Sequence, residues 1–150
     1  MIKGSALVDL FYFYTMNKIE HIGIAVENLS IAIPIYEKLL NTTCYKTEEV
    51  VSEGVKTAFF KIGESKIELL EASNPESPIA KFIEKRGKGM HHIAFDVDNI
   101  EEEISRLTQE GFMLISASPK NGADNKRIAF LHPKSTEGLL VELCQERSDS

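Results

Sequence analysis

Two histidines and two glutamates recur at matching places in the sequence. Residues 21–29 read HIGIAVENL and residues 92–100 read HIAFDVDNI, so that His21 aligns with His92. Further along, the IEL segment that contains Glu68 matches the VEL segment that contains Glu142. Two matches in the same order indicate a duplicated unit. Such a duplication places one histidine and one glutamate per copy in equivalent positions about a pseudo-twofold axis.

The alternation of residue types predicts that these four side chains point into the molecule. Each histidine shares its strand face with a small residue, Gly23 in the first copy and Ala94 in the second, which leaves room for a cavity. Each glutamate lies between apolar residues in the middle of a strand. An ionised carboxylate taken out of water is costly unless it is paired or bound to a metal.

Two imidazoles and two carboxylates suit an intermediate divalent ion such as Co, Mn, Ni or Zn. Four protein ligands on an octahedral ion leave two positions for water or substrate, as a catalytic site requires. A lone strand histidine is more often a satisfied core residue, and a lone strand glutamate usually faces solvent. The repeat favours one metal ion held by His21, Glu68, His92 and Glu142.

Three further residues are interpreted structurally. His91 precedes a proposed ligand, so strict alternation predicts that it faces the other way and either supports a ligand from behind or has a structural role. Cys144 shares the face of Glu142, but a buried thiol is the favoured interpretation over a metal ligand. Cys144 and Cys44 do not make a disulfide framework, and both are interpreted as buried, reduced thiols of an intracellular protein.

The elements that would position these residues follow the same order in both halves. Strands are predicted at 21–26, 55–62, 66–71, 92–97, 112–116, 127–131 and 139–145, and helices at 31–40, 75–86 and 98–110. Asn28 or Ser30 is the candidate N-cap of the first helix, and Asp98 with Glu101 resembles a capping box. Residues 119–125 are expected to form a polar loop.

Length and composition fit one globular domain. The chain has 150 residues, 43% of them hydrophobic and 27% charged, with a formal charge of −6 that disfavours nucleic-acid binding. Residues 1–16 are interpreted as an N-terminal extension, because the apolar stretch 6–16 is too short to span a membrane. The domain covers 17–146, with repeats at 17–88 and 89–146, and 147–150 form a tail.

The segments HIGIAVENL, GMHHIAFDVDNI and FLHPKSTEGLLVEL resemble the vicinal-oxygen-chelate superfamily, and within it the methylmalonyl-CoA epimerases, over about residues 18–145. The resemblance implies an α+β fold of two βαβββ modules that form an incompletely closed, eight-stranded, barrel-like sheet around the metal. It carries over the ligands to His21, Glu68, His92 and Glu142. It also implies a cytoplasmic homodimer that acts on a small-molecule CoA thioester in propionate metabolism.

The resemblance implies interconversion of (2R)- and (2S)-methylmalonyl-CoA by metal-stabilised enolate formation and proton transfer at the α-carbon. Glu142 is then the first candidate base. Some relatives carry a second glutamate where this chain has Thr57, and Lys66 and Glu53 remain open as substitutes. Two basic groups could hold the CoA phosphates or simply be solvated: Lys81, Lys85, Arg86 and Lys88, or Lys120, Lys126 and Arg127.

Two other functions fit the same fold. A glyoxalase I-type lyase would use a similar His/Glu site on a glutathione hemithioacetal. A non-catalytic binding protein would sequester a small molecule, but binding members of the superfamily typically lack a full ligand set. The segment GMHHIAF with its surroundings favours the epimerase over the lyase.

Overall fold

A curled sheet of eight strands forms the body of the molecule, with three helices in the part of the chain that the structure describes. The structure is a computed structural model that describes residues 16–148. Its strands are β1 Lys18–Ala25, β2 Lys46–Val50, β3 Val55–Ile62, β4 Ser65–Ala72, β5 Gly89–Asp96, β6 Lys120–Asn121, β7 Lys126–Leu131 and β8 Val141–Glu146. Its helices are α1 Leu29–Leu40, α2 Pro78–Arg86 and α3 Ile100–Gln109.

The order of the strands follows the sequence repeat. Along the sheet the order is β2-β3-β4-β1-β5-β8-β7-β6. Strand β1 runs parallel to β4, and β5 runs parallel to β8, so each module ends beside its own first strand. The two modules join where β1 and β5 pair antiparallel at the centre. The predicted α+β fold of two βαβββ modules in a half-closed sheet is therefore confirmed.

The two helices that follow the histidine strands begin in the same way. Asn28 caps α1, and its side chain accepts a hydrogen bond from the Ser30 backbone N–H at 2.8 Å. Asn99 caps α3 and accepts from the Glu102 N–H at 3.0 Å. An asparagine at this position satisfies an amide that has no partner within the helix. The second cap lies one residue later than predicted, because Asn99 and not Asp98 does the capping.

Each module has its own apolar core between a helix and the convex side of the strands. The first core includes Ala58, Phe60 and Leu69 packed with residues of α1. The second includes Ile100 and Leu107 of α3 against Leu143. Because both cores lie on one side, the opposite face of β1, β4, β5 and β8 is left for other side chains.

Two stretches of the second module differ from the prediction. Residues 112–116 were expected to form a strand, but they contribute one isolated bridge, Leu114 to Leu131. The short strand β6 instead lies within the expected polar loop, after Pro119. In the first module, β2 was not predicted, because its sequence KTEEV shows little apolar alternation. In the structure it is a half-exposed strand at the edge of the sheet.

Ion pairs connect the two edges of the curled sheet. Asp124, in the turn between β6 and β7, contacts Lys46 of β2 at 2.7 Å and also pairs with Lys66 of β4. The Asp124 backbone N–H donates to Glu48 of β2 at 3.0 Å. The turn of the second module is thereby held against the first module.

The predicted N-terminal extension lies outside the described residues, except for Met16, which packs against the second core. Among residues 16–148, no helix combines the length and the apolar character needed to cross a bilayer. Cys144 is buried as predicted, whereas Cys44 is only partly buried, and both are free thiols.

Candidate metal and active site

The four predicted ligands lie together on the concave face of the sheet. The Nε2 atoms of His21 and His92 are 3.0 Å apart, and Oε1 of Glu142 is 2.9 Å from the His92 Nε2 and 3.4 Å from the His21 Nε2. Oε2 of Glu68 is 3.1 Å from the Nδ1 of His21. All four residues are 5% exposed or less. The structure thus brings donor atoms of His21, His92 and Glu142 together, and it places Glu68 against His21 from the Nδ1 side of the ring.

Strand pairing explains why the side chains meet. Across the antiparallel pair of β1 and β5, His21 lies opposite Ala94, and His92 lies opposite Gly23. On the outer sides, Glu68 pairs with Gly23 and Glu142 pairs with Ala94. Each imidazole therefore lies over a small residue of the neighbouring strand, flanked by a carboxylate from the strand beyond.

Gly23 is the tighter of these two positions. A Cβ atom added to it would lie 2.2 Å from Cε1 of His92, which is closer than real Cβ contacts come. This clash would force the His92 ring to move, and the neighbouring rings of His91 and Phe130 restrict where it can go. The absence of a side chain at residue 23 is therefore what allows His92 to lie over β1.

We expect Gly23→Ala to weaken binding of Co²⁺ strongly, because it displaces the His92 imidazole while the strand itself keeps its backbone geometry. Isothermal titration with Co²⁺ measures the effect, and circular dichroism checks the fold. Gly63→Ala is the matched control for the glycine change, since nothing lies within 4 Å of its added Cβ, although its φ of 56° adds local strain. Equal affinity of Gly23→Ala and the unmodified protein would refute this explanation.

Two register shifts bring extra side chains into the site. The pairing of β1 with β5 skips Glu20 on one strand and His91 on the other. Glu20 Oε1 is 2.7 Å from His21 Nδ1, and His91 Nδ1 is 2.9 Å from His92 Nδ1. The prediction that His91 faces away was therefore wrong, because a bulge breaks the strict alternation. His91 lines the same cavity as His92.

The cluster carries strongly shifted pKa values. Burial raises the pKa of Glu68 to about 7, although His21 opposes the rise. Burial alone would lower the pKa of His21, but the charges of Glu68 and Glu142 hold it well above its usual value. Burial would raise the pKa of Glu142, yet the two imidazoles more than offset this and hold it well below its usual range.

These shifts show that the donor set suits a cation. Glu20 already has a cation beside it, since Lys66 Nζ is 2.7 Å from its Oε2. Glu68 contacts His21, whereas Glu142 contacts both imidazoles and accepts a hydrogen bond from the Cys144 thiol, so two carboxylates are buried beside two imidazoles. One donor atom from each of His21, His92 and Glu142 lies within 4.8 Å of the others. Nitrogen and oxygen donors in this arrangement fit a divalent ion.

A cavity of about 270 Å³ opens beside the cluster. Apolar side chains form much of its wall, including Leu70, Ile79 and Phe130. Glu53 and Lys120 also line it and contact each other at 3.0 Å. A small polar molecule with an apolar arm could therefore reach the cluster from this side.

The structure separates the candidates for a second proton-transfer group. Thr57 lines the cavity, but its Oγ1 donates to the Glu48 carbonyl at 3.1 Å. Lys66 does not line the cavity, and it is bound to Glu20 and Asp124. Glu53 lines the cavity with its carboxylate partly exposed. Geometry favours Glu53 over the other two.

The basic residues considered for CoA phosphates differ in availability. Lys126 is buried and paired with Glu146 at 2.6 Å, and Arg127 pairs with Glu101. Lys120 lines the cavity and is about half exposed. On α2, whose first residues Pro78 and Ile79 line the cavity, the last turn carries Lys85 and Arg86.

Glu20 is the residue of the site that the sequence interpretation missed. Position 20 matches position 91 by the same offset that relates the two histidines, but the residues there are Glu and His, so the repeat gave no signal for Glu20. Cys144 also borders the site, and its Sγ donates to Glu142 Oε2 at 3.1 Å. One donor atom from each of Glu20, His21 and Cys144 lies within 4.8 Å of the others.

Comparison with known proteins gives consistent results. The family model of the glyoxalase/bleomycin resistance protein/dioxygenase superfamily matches residues 20–130. An uncharacterized protein of Bacillus subtilis (strain 168), YqjC, is 41% identical over 89% of this chain and 96% of its own. The mitochondrial methylmalonyl-CoA epimerase of Dictyostelium discoideum is 36% identical over 94% of this chain and 86% of its own. A solved structure of a variant of the Streptomyces coelicolor methylmalonyl-CoA epimerase, in complex with 2-nitronate-propionyl-CoA, is 31% identical in sequence. It superposes with a TM-score of 0.85 and covers 89% of this chain and 97% of its own.

Proposed function

The chain belongs to the glyoxalase/bleomycin resistance protein/dioxygenase superfamily, and we propose that it is an epimerase that interconverts (2R)- and (2S)-methylmalonyl-CoA. The observation that carries the proposal is the convergence of His21, Glu68, His92 and Glu142 at the wall of a cavity. Relatives that bear the epimerase name cover most of the chain, which supports the choice of substrate.

We propose that His21, Glu68, His92 and Glu142 hold one divalent ion, with Co, Mn, Ni and Zn as candidates. Such an ion would supply Lewis acidity that stabilises negative charge on the substrate oxygens when the α-proton leaves. The apolar wall around the cluster excludes water and so strengthens every charge interaction inside.

Proton transfer falls to two carboxylates in this proposal. Glu142 takes the α-proton on one face of the substrate, and the carboxylic acid form of Glu53 returns a proton on the other, which inverts the carbon. Glu53 must therefore enter this step protonated and released from its contact with Lys120. One carboxylate ends protonated and the other ionised, and the reverse reaction exchanges these roles. A bound metal would lower the basicity of Glu142, so Glu142 would act best as a base if its bond to the metal lengthened when substrate binds.

Turnover assays test the function directly. Metal-loaded protein should convert one methylmalonyl-CoA epimer into an equilibrium mixture of both, as chiral separation of the thioesters would show. A glutathione hemithioacetal serves as the control substrate, because a glyoxalase I-type lyase would consume it instead. Turnover of the hemithioacetal without epimerisation would replace the proposed reaction, and turnover of neither would favour a binding protein.

We propose that the protein works as a homodimer in the cytoplasm. The sequence also offers the apolar segment 7–14 as a surface for a second copy, but this segment lies outside the described residues. A second apolar surface is the stripe of Ile31, Ile35 and Leu39 along α1, each more than half exposed. Residues four apart lie on one helix face, so they offer a continuous surface to a second copy. The free thiols of Cys44 and Cys144 are consistent with a reducing compartment.

Ile35→Lys is expected to shift the protein from dimer to monomer, because it places a charge within the apolar stripe. Sedimentation velocity at micromolar concentration measures the change. Lys38→Glu, elsewhere on the same helix, controls for an altered charge. A protein that sediments as a monomer without any substitution would contradict the proposed dimer.

A further inference from the structure

We infer that Glu20 is a positioning residue that fixes the orientation and the tautomer of His21 for metal binding. The inference deepens the proposed function and rests on its metal site. Nothing in the alternation of β1 would place Glu20 there, since neighbouring residues of a regular strand point to opposite faces. The register shift between Ile19 and His21 turns the Glu20 side chain to the same side as His21.

The second module contains the same irregularity at the equivalent place. The shift on β5 leaves His91 unpaired, and His91 precedes His92 as Glu20 precedes His21. In both modules the unpaired residue contacts the Nδ1 atom of the histidine that follows it. A bulge that recurs at corresponding positions next to both candidate ligands is a feature of the duplicated unit, and it serves the histidines.

The contacts of Glu20 hold its carboxylate firmly. One oxygen, Oε1, is 2.7 Å from His21 Nδ1, and the other, Oε2, is 2.7 Å from Lys66 Nζ and 3.7 Å from Lys126 Nζ. Glu20 is 2% exposed. The His21 ring and the Lys66 ammonium thus hold one carboxylate oxygen each, which fixes the orientation of the Glu20 side chain.

The contact with Glu20 decides which nitrogen of His21 is available to bind a metal. With the Nδ1 proton donated to Glu20, the Nε2 atom keeps its lone pair. Nε2 is the atom that faces His92 and Glu142, so it points at the place where the other donors meet. Glu68 also lies 3.1 Å from Nδ1, but the Glu20 contact is the one with hydrogen-bond geometry.

The two modules have diverged at this position. Glu20 gives His21 an anionic partner, which raises the basicity of the ligand nitrogen. His91 gives His92 an imidazole partner, with the two Nδ1 atoms 2.9 Å apart. An imidazole carries no negative charge, so it stabilises its neighbour less than a carboxylate does. Loss of Glu20 should therefore harm metal binding more than loss of His91.

The test compares the affinity of purified protein for Co²⁺ by titration without substrate. Glu20→Gln keeps the shape of the side chain but removes its charge, and it should weaken Co²⁺ binding by about 10–100-fold. Glu20→Asp retains the charge with a shorter reach and should recover part of the loss. Glu48→Gln is the matched control, because Glu48 joins the same ion-pair network through Asp124 and Lys46. It should bind Co²⁺ as the unmodified protein does.

A second measurement uses the unmodified protein loaded with Zn²⁺, and so does not depend on whether a variant folds. Nitrogen-15 NMR should show His21 protonated at Nδ1, with an N–H proton that exchanges slowly because Glu20 accepts it. If His21 is protonated at Nε2, or if Glu20→Gln binds Co²⁺ with unchanged affinity, the inference is overturned while the metal site stands. Failure of the unmodified protein to bind either ion would overturn the proposed site and this inference together.

Discussion

Replacement of His92 by alanine is expected to abolish metal retention and epimerase turnover while the fold survives. The imidazole contributes one of the donors that converge with His21 and Glu142, and its loss leaves a gap beside two buried carboxylates. The backbone should tolerate the change, because residue 92 lies over Gly23 and not inside either apolar core. Metal analysis after dialysis, turnover and circular dichroism measure the three expectations.

His91→Ala is the matched control for this substitution. His91 lies one residue away, lines the same cavity and contacts His92, but it is not among the proposed ligands. Its removal should lower metal affinity less than removal of His92. If His91→Ala loses the metal and His92→Ala retains it, the assignment of the two histidines is reversed.

Glu142→Gln is expected to reduce turnover by about 10²–10⁴-fold, the usual contribution of a general base. The amide keeps the shape of the side chain and one carbonyl oxygen, so some metal should remain bound. It cannot accept the α-proton. The variant must be assayed at saturating metal, so that a loss of base is not confused with a loss of ligand.

Glu103→Gln controls for the loss of a buried carboxylate. Glu103 is 4% exposed on α3 and pairs with Arg106, away from the concave face. It should cost stability but not turnover. A metal-loaded Glu142→Gln protein with near-normal turnover would mean that Glu142 is a ligand only. Glu53→Gln would then show whether the remaining base lies on the other side of the cavity.

The sequence predicts the site better than it predicts the edges of the sheet. His21, His92, Glu68 and Glu142 occur in segments that repeat, so each copy supports the interpretation of the other. The structure places His21, His92 and Glu142 within contact distance of one another and Glu68 against His21, although the role of all four as ligands stays a prediction. Alternation within the central strands was strong because one side of each strand packs on an apolar core and the other faces the cavity.

What the sequence did not predict depends on irregular pairing. The bulges that turn Glu20 and His91 inward have no local signal, since they arise from the register between β1 and β5. Strands β2 and β6 are short edge strands whose position depends on contacts across the opening, such as those of Asp124. Residues 112–116 alternate like a strand but pair at Leu114 alone.

Exchange of the α-proton with deuterated solvent tests the central claim most directly. Metal-loaded protein is incubated with each methylmalonyl-CoA epimer separately, and mass spectrometry follows deuterium at the α-carbon. An epimerase that uses two carboxylates on opposite faces should incorporate deuterium into the product from either epimer, with exchange that depends on the metal and on Glu142. If neither epimer exchanges its α-proton while the metal is bound, the protein does not catalyse this proton transfer, and the proposed function is wrong.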